Sequence, residues 1–86
     1  MNIHVSNLSQ NTIDADLRKL FSSYGEVLSA VVLRDKLNGR SRGTAFIDMI
    51  NDAHGGLAVS GLHRTVLNGK EISVSEIEYS PTKYKN

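Results

Sequence analysis

The spacing of apolar residues switches between two periods, two residues and three to four, and the switches divide the chain into six elements. Ile3 and Val5, with Leu8 beyond them, alternate with His4 and Ser6. This predicts a short half-buried strand that ends at the turn-forming Asn7. Ile13, Leu17, Leu20, Phe21 and Tyr24 then recur at spacings of four, three, one and three, which is one face of an amphipathic helix. Thr12 or Asp14 is its expected N-cap, Asp14 and Asp16 suit the positive end of its dipole, and Gly25 is the expected left-handed C-cap. Val27 to Arg34 is rich in β-branched and aliphatic residues and predicts a second strand.

The stretch from Arg40 to Met49 carries the most information. It is expected to begin as a flexible basic loop, with Asn38-Gly39 as turn residues, and to run without a break into a third strand. Side chains alternate across a strand, so Ala45, Ile47 and Met49 point one way while Thr44, Phe46 and Asp48 point the other. A large ring on the polar face, next to Arg42, is poorly explained by core packing. A flat, negatively charged partner explains it better, because bases stack on rings and phosphates pair with guanidinium groups.

Asn51 or Asp52 is expected to cap a second helix whose inward face is Gly55, Ala58, Val59 and Leu62. The tandem Gly55-Gly56 is read as a marginal first turn or two, since each glycine costs about 1 kcal/mol relative to Ala. Asn68-Gly69 signals a tight turn, and Ile72 and Val74 alternate with Ser73 and Ser75 in a last strand that runs out through Ile77 and Tyr79 to Pro81.

Arg42-Gly43-Thr44-Ala45-Phe46-Ile47-Asp48-Met49 resembles the longer ribonucleoprotein motif of the RNA recognition motif family. Arg42, Gly43, Ala45 and Phe46 match it, Ile47 replaces Val, and Thr44 and Met49 depart from it. Ile3-His4-Val5-Ser6-Asn7-Leu8 is similar to the shorter motif, with His4 where a ring usually sits and Ser6 where Gly usually sits. His63-Arg64 stands where the family usually has Asn-Gly. The resemblance covers Asn2 to Glu76 and implies a domain over residues 1–78, followed by a short tail at 79–86.

Strand, helix, strand, strand, helix, strand makes two βαβ-like halves. Right-handed crossovers and one buried sheet face require both helices on the same side. The expected fold is therefore α+β and ferredoxin-like, βαββαβ, with a four-stranded antiparallel sheet and two helices on one face. The resemblance sets the first and third strands side by side at its centre. His4, Thr44 and Phe46 then share the open surface, with Val31 and Leu33 on one edge strand and Ser73 and Ser75 on the other.

Composition narrows the picture in a few places. Eighty-six residues suit one core. Net charge is only +1, but four basic residues lie between Arg34 and Arg42 against Asp35, and Lys83 and Lys85 add charge to the tail. The absence of cysteine excludes disulfides, thiolate catalysis and thiolate zinc sites. His4, His54 and His63 have no metal-ligand spacing, Asp48 with His4 is the one candidate acid–base pair on the open face, and nothing supplies an activated nucleophile. No enzyme activity, cofactor or metal is expected. No apolar run reaches the roughly 18 residues of a membrane span. No basic and apolar leader opens the chain, so a cytoplasmic location and a complete small protein are expected.

Two functions follow. The first is a module for single-stranded RNA, with single-stranded DNA as the alternative nucleic acid. Phe46 stacks a base, His4 supplies a second platform, Arg40 and Arg42 hold phosphate, and Ser6, Thr44, Ser73, Ser75, Val31 and Leu33 complete the surface. Tyr79 or Tyr84 is expected to fold over the bound strand. The second is a protein-interaction or homodimerisation module that uses Val31, Leu33, Phe46 and Leu57, or the exposed edge of the second strand.

Overall fold

The computed structural model describes residues 1–78. The elements follow in the order β1 (Asn2–Ser6), α1 (Asp14–Ser22), β2 (Val27–Arg34), β3 (Ser41–Met49), α2 (Asp52–Leu62), β4 (Val66–Leu67), β5 (Lys70–Glu71) and β6 (Ser73–Ile77). The main sheet has the strand order β2-β3-β1-β6 and is antiparallel throughout. Ile3, Val5, Ala30, Val32, Ala45, Ile47 and Val74 leave one face of it and meet Leu17 and Phe21 of α1 and Ala58 and Leu62 of α2 in a single core. Phe21 is fully buried, and burial of such a ring stabilises the fold by roughly 1.5–3 kcal/mol. This is the expected α+β, ferredoxin-like arrangement. One element was not expected, the β4–β5 hairpin, turned by Asn68 and Gly69 with φ of 51° and 85°. Two successive positive φ values suit the right-handed strand twist.

The ends of α1 differ from expectation. Its N-cap is Ile13, whose backbone N–H donates to Asp16 Oδ2 at 3.1 Å. Thr12 is buried and anchors the hairpin instead, accepting from Asn68 Nδ2 at 3.0 Å. Asp14 reaches across to β2 and accepts the Val32 N–H at 2.8 Å. The helix stops at Ser22, and Gly25 is not in the left-handed region. Gly25 is required for space: a Cβ there would lie 2.7 Å from the Cβ of His54.

In α2, Asn51 is the N-cap and its Oδ1 accepts the His54 N–H at 3.0 Å. Gly55 and Gly56 lie within the first turns of a continuous helix and have different causes. Gly55 is buried under Met1, whose Sδ would stand 2.6 Å from an added Cβ, so close approach explains this glycine rather than a marginal turn. Gly56 faces open space. Gly61 seats the ring of Tyr24, which ties the two helices together. After α2, Arg64 takes the left-handed conformation (φ 68°), performing the turn that the family usually gives to Asn-Gly.

The β2–β3 connection is a hydrogen-bonded turn rather than the flexible loop expected. Asp35 Oδ1 accepts from the N–H groups of Leu37 and Asn38 at 2.7 and 3.2 Å, and Asn38 Oδ1 accepts from Arg40 at 2.9 Å. Short polar side chains substitute here for backbone acceptors. The outer edge of β2 is also partly occupied, by Asp14 on the Val32 N–H and by the Arg18 guanidinium on the Val27 and Leu28 carbonyls at 3.0 and 3.4 Å. On β6, His63 Nδ1 accepts the Val74 N–H at 3.0 Å.

Candidate nucleic-acid interface

With both helices on one face, the other face of the sheet presents the alternate side chains of β2, β3, β1 and β6. Registers across the three strand pairs arrange them in rows. The central row is Val31, Phe46, His4 and Ser75, one residue from each strand directly opposite the next. Phe46 and His4 are half-buried, and their ring centroids lie 5.2 Å apart with the planes tilted by 46°. That separation lies within the range of favourable aromatic pairs. Each ring thus props the other while a surface remains open above both. Val31 is 37% exposed and Ser75 is exposed, so the row is apolar at one end and polar at the other.

Towards the β2–β3 turn lies the next row. Ser6 pairs with Ser73, and the β1–β3 register, continued one residue past Val5 and Ala45, sets Ser6 beside Thr44. Leu33 flanks it on β2 and is half-buried. Here the β2–β3 register shifts: Val32 pairs with Ala45 but Arg34 pairs with Ser41. The extra residues of β3 bulge at Arg42-Gly43-Thr44, and Gly43 has a φ of 79°. Bulges bend a strand and re-aim its side chains. Glycine is needed at this position because a left-handed conformation costs other residues roughly 1–2 kcal/mol. The Gly43 carbonyl accepts the Leu8 N–H at 3.0 Å and fastens the bulge to the end of β1.

Arg42 is the first residue of the bulge and is exposed, and its guanidinium makes no hydrogen bond or ion pair among the described residues. Arg40 is equally exposed at the end of the turn, beyond the rows. Arg34, by contrast, donates to the Gly39 carbonyl at 3.3 Å and helps to hold the turn.

A third row, at the far end of β1, had no signal in the sequence beyond alternation: Ser29, Asp48, Asn2 and Ile77. Asn2 and Asp48 are buried. Asn2 Nδ2 donates to the Glu78 carbonyl at 3.5 Å, and Asp48 Oδ1 lies 3.8 Å from the amino group of Met1. Asp48 is therefore not the exposed acid on the open face that its strand position suggested. The face is open at its Arg42 end and closed at its Asp48 end.

Leu57 is 62% exposed on α2, on the side of the sheet that the helices cover. It does not join Val31, Leu33 and Phe46 in one apolar surface, contrary to expectation, because the two sets lie on opposite faces. Tyr79, Tyr84, Lys83 and Lys85 lie outside the described residues. Among the described residues no group of three or more His, Cys, Asp or Glu could hold a metal ion, and no helix is long and apolar enough to cross a membrane.

The family model for the RNA recognition motif matches residues 3–73, from the start of β1 into β6. The chain belongs to the RNA recognition motif family. Glycine-rich RNA-binding protein 1 of Mycosarcoma maydis is 35% identical over 79 residues, which cover 92% of this chain and 45% of that protein. The chain thus spans about half the length of that relative. RbpD of Nostoc sp. is 38% identical over 76 residues, covering 88% of this chain and 81% of that protein. Among solved structures, the RNA binding protein PG1 superposes with a TM-score of 0.90 at 36% identity, over 94% of this chain and 98% of that one. The Sxl-lethal protein/RNA complex gives a TM-score of 0.81 at 34% identity, over 86% of this chain and 46% of that one.

Proposed function

We propose that this RNA recognition motif binds single-stranded RNA on the open sheet face, with Phe46 and His4 as the base-stacking platform and Arg42, joined by Arg40, as the phosphate contact. The observation that carries the reading is the central row: two paired rings held half-open, with an unpartnered guanidinium two rows along the same strand. Rings alone would suit a protein partner equally well. Rings and a free cation at one end of a surface that is closed at its acidic end suit a polyanion with flat substituents. Val31 and Leu33 flank the stacked bases, and Ser75 offers a donor and an acceptor to a base edge. Binding of RNA by relatives, in the names of the Mycosarcoma maydis protein and of the Sxl-lethal complex, supports the same reading.

A titration with a randomised pool of single-stranded RNA at two salt concentrations tests it. The expected outcome is weak binding that falls with salt, each phosphate contact contributing roughly −0.7 to the log–log slope. A folded protein with no detectable binding at low salt overturns the proposal and leaves the protein-interaction module, in which Val31, Leu33 and Phe46 meet another chain or a second copy.

A further inference from the structure

The outer face of α2 is unlike that of α1. At about 3.6 residues per turn, Ala53, Leu57 and Ser60 lie opposite the buried Gly55, Ala58 and Leu62, and all three are exposed. Leu57, the largest of them, is the middle residue of the 11 in the helix. No Asp, Glu, Lys or Arg occurs between Asp52 and Arg64, whereas α1 exposes Asp14, Arg18 and Lys19. A surface helix ordinarily carries charged residues on its outer side. Gly56, next to Leu57, is a separate observation. Glycine is disfavoured inside a helix, and no atom of the chain stands near the place of its missing Cβ, so nothing within the chain uses the close approach that glycine allows. The charges sit at the two ends instead. Asp52 opens the helix with its side chain 86% exposed and its Oδ1 3.2 Å from the amino group of Met1. Arg64 lies just past the other end. Its backbone N–H donates to the Ile72 carbonyl at 2.8 Å, and its exposed guanidinium makes no hydrogen bond or ion pair among the described residues.

We propose that the outer face of α2 pairs with α2 of a second copy of this chain, antiparallel about a two-fold axis at Leu57, in a weak homodimer joined on the helix side. A two-fold interface must be complementary to itself. This face is negative at one end, apolar in the middle and positive at the other, so it meets that condition. The two-fold rotation sets Leu57 against its own copy and brings Asp52 of each chain to the Arg64 end of the other, once at each end of the pair. The helix is about 16 Å long, so a shallow crossing keeps both ends within reach. Antiparallel helices also place opposite ends of their dipoles side by side. Gly56 lets the two backbones approach beside the Leu57 contact. A partner of uniform charge would meet repulsion at one of the two ends, whereas a second copy meets attraction at both. One pair of helices buries less than the roughly 1,200 Å² of a standard stable interface, so the association is weak. The open sheet face stays free in such a dimer, and the inference does not depend on the RNA reading.

Sedimentation equilibrium of the full chain from about 10 µM to 1 mM reads the association, with the fold of every variant checked by circular dichroism. The average mass of the parent should rise from monomer towards dimer across that range. Leu57→Glu sets two like charges at the crossing point and should leave a monomer throughout. Gly56→Ala, which adds a methyl group between the helices, should weaken the dimer several-fold. Arg64→Glu and Asp52→Lys should each weaken it by roughly 3- to 10-fold, since each places like charges at both ends. An equimolar mixture of these two variants should associate like the parent, because their heterodimer has opposite charges at both ends again. A parent that stays monomeric to the top of the range overturns the proposal and leaves the face to a different chain. Dimerisation undiminished by Leu57→Glu overturns it by placing the contact elsewhere. A mixture of the charge variants that associates no better than either alone overturns the antiparallel pairing.

Discussion

At the scale of single residues, the open face separates two kinds of contribution that fail differently. Removing the Phe46 ring should weaken RNA binding by about 1–3 kcal/mol through a lost stack and leave the salt dependence nearly unchanged. Arg42→Ala should flatten the log–log salt slope by close to the roughly 0.7 that one single-strand phosphate contact contributes. Titrations of both variants across a salt series check this, with folding confirmed by circular dichroism. Parent-like binding by both would show that the face does not hold RNA. Much of this site was legible in the sequence because alternation fixes which side chains share a strand face. The place of Phe46 on the non-core side needed no structure. Its partner relation with His4 did, since register is a property of two strands and appears in neither. Asp48 was misread for the same reason: its face follows from alternation, but its burial against Asn2 and Met1 is tertiary.

The elements show where local rules gave way to packing. Helix and strand positions followed from periodicity, and β2 begins and ends at Val27 and Arg34, where its composition changes. Caps and glycines were harder. Asp14 is a plausible N-cap by residue type, yet its carboxylate is used on β2, and Gly25 resembles a helix terminator but serves to admit His54. The glycines of α2 give a test in which helix propensity and packing have opposite signs. Gly56 faces open space, so Gly56→Ala should stabilise the protein by about 0.4–1 kcal/mol. Gly61 lies against the Tyr24 ring, so Gly61→Ala should destabilise it by about 1–3 kcal/mol despite the same gain in propensity. Urea denaturation midpoints at constant m-value measure both. Stabilisation by both substitutions would show that Tyr24 yields freely and that the helix contact is loose. The β4–β5 hairpin escaped the sequence reading because two-residue strands carry no periodicity. Only its Asn68-Gly69 turn announced it, and its anchoring to Thr12 and Asp16 spans more than fifty residues of chain.

For the whole molecule, the arrangement assigns the two sides of the sheet to different tasks. One side holds the core under α1 and α2, and the other presents a graded surface: closed and acidic at the Asp48 end, aromatic in the middle, then hydroxyl-bearing, and basic at Arg42. In the proposed function such a gradient would give a bound RNA strand a direction as well as a place. On the helix side there is a shallow cleft of about 330 Å³ between α1 and the hairpin, lined by Asp16, Lys19, Leu20, Ser23, Leu67 and Asn68. Backbone amide shifts followed by nuclear magnetic resonance during addition of single-stranded RNA distinguish the two sides most directly. The account predicts that the largest changes fall at His4, Ser6, Val31, Arg42, Thr44, Phe46 and Ser75, with little movement at Lys19, Leu20, Ser23 and Leu67. Changes confined to the cleft residues, or no changes at the open face at saturating RNA, would contradict it.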